Sequence, residues 1–271
     1  MRRLTAACVI LLITLAGCSW AEREPNQFVT TSWDGLTGMF VAPTARMMGK
    51  GRIAFGFNEA KHTEFVKTVR SVDRQIRGVV TYGLTDWFEV SASYYNDILA
   101  VPRLPILDNQ AFTEFGFKVR VMEESTTHWF PEFSIAVRDL TNDSSDVGSL
   151  DYIHNGTKVF LLASKKVFKK SETGRFLDAH FGLTFDHNTV SGLVGFELTL
   201  APNASLISEW IWDSPFINFR DYGENDVPGR FVFDPGIRFY PEMVPGLALD
   251  LGFIGDSEFE FSFGASYRVQ L

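Results

Sequence analysis

The sequence predicts an all-β protein: one antiparallel transmembrane β-barrel of about twelve strands (ten to fourteen), led in by an extended N-terminal segment at or in the lumen. Three observations carry this. Side-chain polarity alternates with a period of two over most of the chain, and no helix-length amphipathic segment follows the N-terminal signal. The apolar face is dominated by Phe, Leu and Val, in a chain with 26 Phe against 7 Tyr and 6 Trp, whereas the other face mixes carboxylates and cations with Gly and Ser. The first residues read as an export signal.

That signal opens with Met1-Arg2-Arg3 and continues as an apolar run from Ala6 to Ala16. Such a run is short for a helical span but suits a secretory signal peptide. It ends in Leu15-Ala16-Gly17-Cys18, which resembles the bacterial lipobox, where Cys18 would be acylated and become the mature N-terminus. Ser19 looks like the outer-membrane sorting residue of that pattern, and ordinary cleavage after Ala21 is the competing reading. Either route leads out of the bacterial cytoplasm. The chain has two cysteines, Cys8 and Cys18, so its body holds no disulfide scaffold, zinc ribbon or catalytic thiol. Its net charge of −8 gives no basic stripe for nucleic acid. The expected division is a signal peptide at 1–17, a tether and lead-in or plug at 18–50, and a barrel at 51–271.

Within the barrel, Phe259, Phe261, Phe263, Ala265, Tyr267 and Val269 alternate with Glu260, Ser262, Gly264, Ser266 and Arg268. The same alternation runs through Phe115, Phe117, Val119 and Val121, and through Leu177, Ala179, Phe181, Leu183 and Phe185. Strand centres fall near Phe55, Val79, Val90, Phe117, Ile135, Leu162, Phe181, Phe196, Ile207, Phe233, Leu251 and Phe263. Turn-forming clusters such as Gly83-Leu84-Thr85-Asp86 separate the runs. Trp87, Trp129, Trp210 and Trp212 lie at or near run ends, where interfacial girdles sit. A soluble two-sheet sandwich would also alternate, but it leaves sheet edges that a closed barrel lacks.

The stretch Asp34 to Phe57 carries a family resemblance. It contains a Gly-x-x-Gly step, then Pro43-Thr44-Ala45-Arg46-Met47, a Gly-containing turn and the first strand. This resembles the opening of the YjbH-like exopolysaccharide biosynthesis family of bacterial outer-membrane proteins. A second echo is Leu206 to Trp210, followed by Pro235 to Pro241. The resemblance implies a role in making or exporting extracellular or capsular polysaccharide. Physically, Pro43 fixes its own φ and extends Ala42, so the segment is a rigid, non-helical lead-in. Its Gly and Pro content argues against a regular strand. Arg46 offers a charged fork able to bind several acceptors at once. The segment is expected inside or across one mouth of the barrel, with Arg46 reaching lumenal acidic groups such as Glu89, Glu114 or Glu260.

The strand register points Glu89, Glu114, Glu132, Glu197, Glu209, Asp234, Asp250 and Glu260 into the lumen. Lys118, Arg120, Arg138, Arg238 and Arg268 are the expected counter-charges. Paired structural networks are the default reading of such a set, ahead of a glycoside-cleaving carboxylate pair. No His-x-x-x-His, His-Glu-x-x-His or Gly-x-Ser-x-Gly pattern occurs, so no metal, cofactor or catalytic residue is expected. Lys165, Lys166, Lys169 and Lys170 read as a charged hairpin tip facing lipopolysaccharide phosphates or water. The expected function is a non-enzymatic outer-membrane barrel, a lipoprotein, in polysaccharide production or export. Its partners would be outer-membrane lipid, lipopolysaccharide, the polysaccharide and other export proteins. A generic outer-membrane pore or structural barrel, and a lipid-anchored glycan-binding β-protein, are the alternatives.

Overall fold

A computed structural model describes residues 30–32, 36–39, 42–66, 69–100, 108–125, 128–141, 157–170, 175–185, 190–201, 203–213, 231–254 and 260–270. The signal segment, Cys18 and the side chain of Glu260 lie outside the described residues. Two short strands, β1 (Thr30–Thr31) and β2 (Thr37–Gly38), precede twelve long ones. These are β3 (Arg52–Val66), β4 (Val69–Thr85), β5 (Phe88–Ala100), β6 (Asp108–Met122), β7 (Glu132–Arg138) and β8 (Lys158–Lys170). They continue as β9 (Arg175–Phe185), β10 (Val190–Ala201), β11 (Ala204–Asp213), β12 (Phe231–Phe239), β13 (Leu247–Ile254) and β14 (Glu260–Gln270). Each expected strand centre falls in a different one of the twelve.

Every long strand pairs antiparallel with its sequence neighbour, and β14 pairs with β3 to close the barrel. Closure leaves no long strand with an unpaired edge, which is the condition for crossing a hydrocarbon layer with strands. One mouth carries the tight connections, such as Asp86–Trp87 between β4 and β5, together with the start of β3 and the end of β14.

The side chains sort as the alternation demands. In β7 the lumenal set is Glu132, Ser134, Ala136 and Arg138, and the outward set includes Phe133 and Ile135. Phe115, Phe181 and Phe261 are 47%, 48% and 58% exposed, and Phe117, Phe196 and Phe263 are partly exposed on the same outer face. Meanwhile the largest fully buried side chains include Arg77, Arg238, Lys118 and Glu89. Charges inside and phenylalanines outside invert the order of a water-soluble protein. A sandwich, which would bury those phenylalanines between two sheets, is thereby excluded. Trp87 and Trp129 project from turns at the tight-turn mouth, and Trp212 from the far end of β11, all exposed. Trp210 instead lies within β11, stacked on Phe233 at 5.0 Å.

The lumen is not empty. Residues 30–32, 36–39 and 42–48 lie inside it, nearly all buried, so the barrel is plugged by its own lead-in.

Candidate functional site

The plug has a small fold of its own. The β1–β2 ladder pairs Thr30 with Gly38 and Thr31 with Thr37, and Gly38 bridges to Pro43. Ser32 donates its N–H to Leu36 O at 2.8 Å, Met39 to Ala42 O at 3.0 Å and Thr44 to Thr37 O at 3.1 Å. Gly38 is required by space: a Cβ there would collide with the Ala42 carbonyl and the Pro43 backbone. The expectation that Gly and Pro keep this segment from pairing is corrected to this extent. It forms a two-residue ladder, and Pro43 adds an isolated bridge to Gly38 outside it.

A buried ion pair holds the middle of the plug. Glu89 on β5 and Lys118 on β6 face each other across the register, 3.1 Å apart and without exposure. Glu89 Oε1 accepts the Thr37 N–H at 3.1 Å and its hydroxyl at 2.7 Å, and Oε2 accepts the Met48 N–H at 2.8 Å. Lys118 Nζ donates toward Thr37 O at 2.9 Å, Thr44 O at 3.0 Å and Arg46 O at 2.6 Å. One cation and one anion thus take up backbone groups that a ligand-free loop would have to leave to water.

Arg46 forms a second clasp nearer the tight-turn mouth. Its Nη1 lies 2.6 Å from Glu124 and 3.0 Å from Glu132, and its Nη2 lies 2.8 Å from Asp178. Arg120 shares Glu132 at 2.7 Å, and Lys165 shares Glu124 at 3.2 Å. Burial alone would favour a neutral guanidine, but Asp178, Glu132 and Glu124 outweigh it and hold the Arg46 pKa above its ordinary value. For Glu124 the order is similar: burial pushes its pKa up, and Arg46, with hydrogen bonds from the Lys166 N–H and Lys165, pulls it below the model-compound value of 4.5.

Three single contacts complete the dock. Ala45 N–H donates to Ser164 Oγ at 3.0 Å, and Ser164 lies 2.8 Å from His180 Nδ1. Ala42 N–H donates to Glu209 at 3.1 Å. Arg238 donates to Met39 O at 3.1 Å while bridging bidentately to Asp250 at 2.7 and 3.0 Å. An apolar contact backs them: Leu36, Ala42 and Ala45 pack on Ala136, Phe160, Leu162 and Leu193, flanked by Ile211.

Glu89, Glu114, Lys118, Arg120, Glu209 and Arg238 all turn inward from their strands. Arg268 is half-buried near the tight-turn mouth, where its N–H bonds Gly246 O. In the motif, Pro43, Thr44, Ala45 and Met47 are buried in the plug and Arg46 is its clasp. The partners expected for Arg46 need correction. Glu89 is consumed by Lys118 and plug amides, and Glu114 by Arg77 and a bidentate pair from Arg138 at 2.9 and 2.7 Å. Arg46 instead meets Glu124, Glu132 and Asp178. Glu124 was missed because it follows β6, in a turn that no strand register covers. Lys165 is no free hairpin tip either: its ammonium is tucked against Glu124 and the Ser125 carbonyl, 3.0 Å away. Phe160, Leu162 and Leu193 contradict the expectation that large apolar side chains face outward, because they line the lumen where the plug itself is apolar.

Among the described residues no group of three His, Cys, Asp or Glu is placed to hold a metal. What the assembled groups do is bind peptide backbone. Because Glu124 has a depressed pKa in the folded state, its contribution is present above 4.5 and is lost as pH falls through the folded value. Protease cleavage of the lead-in in detergent should accordingly rise on acidification below about pH 4.5 while the barrel stays resistant. A cleavage profile that stays flat on acidification until the barrel itself unfolds would contradict that.

Residues 30–142 match the YjbH family, described as "Exopolysaccharide biosynthesis protein YbjH"; the match spans the plug and β3 to β7. No curated protein matches the sequence. Among solved structures, the chain is similar to the NanC porin, with 9% identity, 81% of this chain and 99% of that one covered, and a TM-score of 0.47. It is also similar to an outer membrane channel from Pseudomonas putida, at 10% identity, 91% and 99% coverage and a TM-score of 0.45. The translocator domain of autotransporter NalP from Neisseria meningitidis is a further similar fold, at 12% identity, 82% and 89% coverage and a TM-score of 0.37.

Proposed function

We propose, from the YjbH-family match over residues 30–142, that this chain is an outer-membrane barrel serving production or export of extracellular or capsular polysaccharide. It does so as a plugged conduit and catalyses no reaction itself. The observation that carries this reading is a lumen filled by the chain's own lead-in, which is held there by hydrogen bonds and ion pairs. Such a segment is displaceable without breaking a covalent bond. The apolar outer face faces lipid, and the tight-turn mouth faces the periplasm, as short turns do in bacterial barrels. Cys18 carries the lipid that anchors the mature N-terminus on that same side. The partners are outer-membrane lipid, lipopolysaccharide, the polysaccharide and other export proteins, with no nucleic acid.

A deletion strain scored for capsule and matrix tests the reading. The expected result is loss of secreted polysaccharide, restored by the wild-type chain. Unchanged polysaccharide with altered solute uptake would mark a generic pore instead. Cys18→Ser should abolish acyl labelling, and an unmodified mature chain beginning at Glu22 would refute the anchor.

A further inference from the structure

We infer that β1 is a removable leaf of the plug, and that the slot it leaves against β14 and β3 binds an extended, hydroxyl-rich sugar chain while residues 36–39 and 42–48 stay in place. The inference rests on the reading of the chain as a polysaccharide conduit and assigns the track that the polymer takes.

The bonds that fasten the plug leave from Thr37, Met39, Ala42, Ala45, Arg46 and Met48, and they reach the wall between β5 and β12. β1 takes no part in them. Among the described residues its side chains bond within the plug: Thr30 Oγ1 donates to Gly38 O and Ser32 Oγ to Leu36 O, both at 3.0 Å. The Ser32 N–H donates to the same Leu36 oxygen at 2.8 Å. β1 lies between β2 and the wall formed by β14, β3 and β4. At that level β14 and β3 turn Ala54, Gly56, Asn58, Gly264 and Ser266 inward, and none of them is charged. The nearby charge on β4, Arg77, is engaged by Glu114 and Ser93.

Two polar groups stay unmet at this contact. Thr31 Oγ1 and Asn58 Nδ2 are buried, on residues 3% and 4% exposed, and have no hydrogen-bond partner among the described residues. Thr31 stands against the bare Gly56 backbone, its Cβ 3.1 Å from where a Cβ of residue 56 would lie, and the Asn58 amide rests over Gly264. A buried donor without an acceptor weakens the closed contact. β1 is also the end of the plug nearest the N-terminus and is paired over only two residues, so it can withdraw without threading the rest. Withdrawal opens a slot one strand thick, about 5 Å. One side then bears the Leu36 and Gly38 carbonyls that β1 vacates, and the other the Asn58 amide N–H. The carbonyls need donors and the amide needs an acceptor. A sugar hydroxyl is both, whereas an ionised carboxylate or phosphate only accepts. Gly and Ala along the wall leave the sugar rings room to pass.

Amide exchange of the full-length wild type in detergent should show the Ser32 N–H opening at least about a hundredfold faster than the Ala42 and Met48 N–H groups. A common rate for all three means that the plug moves as one body, and overturns the leaf. Oligosaccharides cut from the polysaccharide that the wild-type strain secretes are the probe for the track. They should shift the Asn58 side-chain amide resonance. The shift should vanish in oxidised Thr31→Cys/Gly56→Cys, which staples β1 to β3, and return on reduction. An unmoved Asn58 resonance in the wild type, or a shift that persists in the stapled protein, overturns the track. An equal shift from inorganic phosphate overturns the hydroxyl assignment. Unchanged secretion in the deletion strain removes the conduit reading itself, whereas split exchange rates with an unmoved Asn58 remove only the track.

Discussion

Arg46→Ala should open the barrel. In planar bilayers the variant is expected to conduct where the wild type is closed, and cells carrying it should become sensitive to bulky antibiotics. The substitution removes one cation and leaves Glu124, Glu132 and Asp178 facing each other, since all three lie within 3.0 Å of that single guanidinium. Breaking a largely buried ion pair from one side costs about 3–5 kcal/mol, because the abandoned charge stays behind. The surviving partners, Arg120 for Glu132 and Lys165 for Glu124, offset part of this, whereas among the described residues Asp178 is ion-paired by Arg46 alone. The barrel seams do not involve Arg46, so heat-modifiable gel migration of the folded form should be unchanged. A closed, impermeable Arg46→Ala barrel would show that the clasp is dispensable. Unchanged permeability with lost polysaccharide would assign Arg46 to the glycan instead.

Lys118→Met should have the larger effect on the plug's own order. The ammonium serves three plug carbonyls and Glu89, and methionine fills similar volume without a donor. Glu89 is then left as a buried, unpaired carboxylate, and three backbone acceptors lose their donor. Amide exchange at Thr37 and Met48, both bonded to Glu89, should accelerate by roughly a hundredfold to a thousandfold, the equivalent of about 3–4 kcal/mol. Exchange at wild-type rates would mean that Glu89 alone secures the segment. The double variant Lys118→Met with Glu89→Gln should recover part of the loss, since the unpaired charge is gone and one acceptor oxygen remains.

Much of this architecture is legible in the chain because a membrane barrel obeys a strict period of two. Phe115 and Glu114, or Phe261 and Ser262, differ in polarity for the same reason that they face different media. The rule fails where the inner medium is protein. Val159-Phe160-Leu161-Leu162-Ala163 in β8 does not alternate, since Leu161 meets lipid and Phe160 and Leu162 meet Leu36 and its neighbours. Such an unbroken run is the mark of a strand buried on both faces, and within a barrel it locates the filling. The clasp was half visible. Arg46 announced itself as a multivalent cation, but its acids depend on the depth at which the plug sits. That depth follows from Glu89 and Lys118 meeting Thr37, a fit between two distant stretches that periodicity does not encode.

The plug's attachments also dictate an order of assembly. Its acceptors and donors come from β5, β6, β7, β8, β9, β11 and β12, so Ala42 waits for Glu209 and Met39 for Arg238, 167 and 199 residues further along the chain. Contacts so remote are late in folding, because the loops they close must form first. The segment therefore cannot acquire its structure ahead of the wall around it, and the N-terminal stretch is the last to settle. Its docking reports that the later strands have been correctly laid down: a barrel with β11 or β12 out of register would present no carboxylate to Ala42 and no guanidinium to Met39, and would remain leaky.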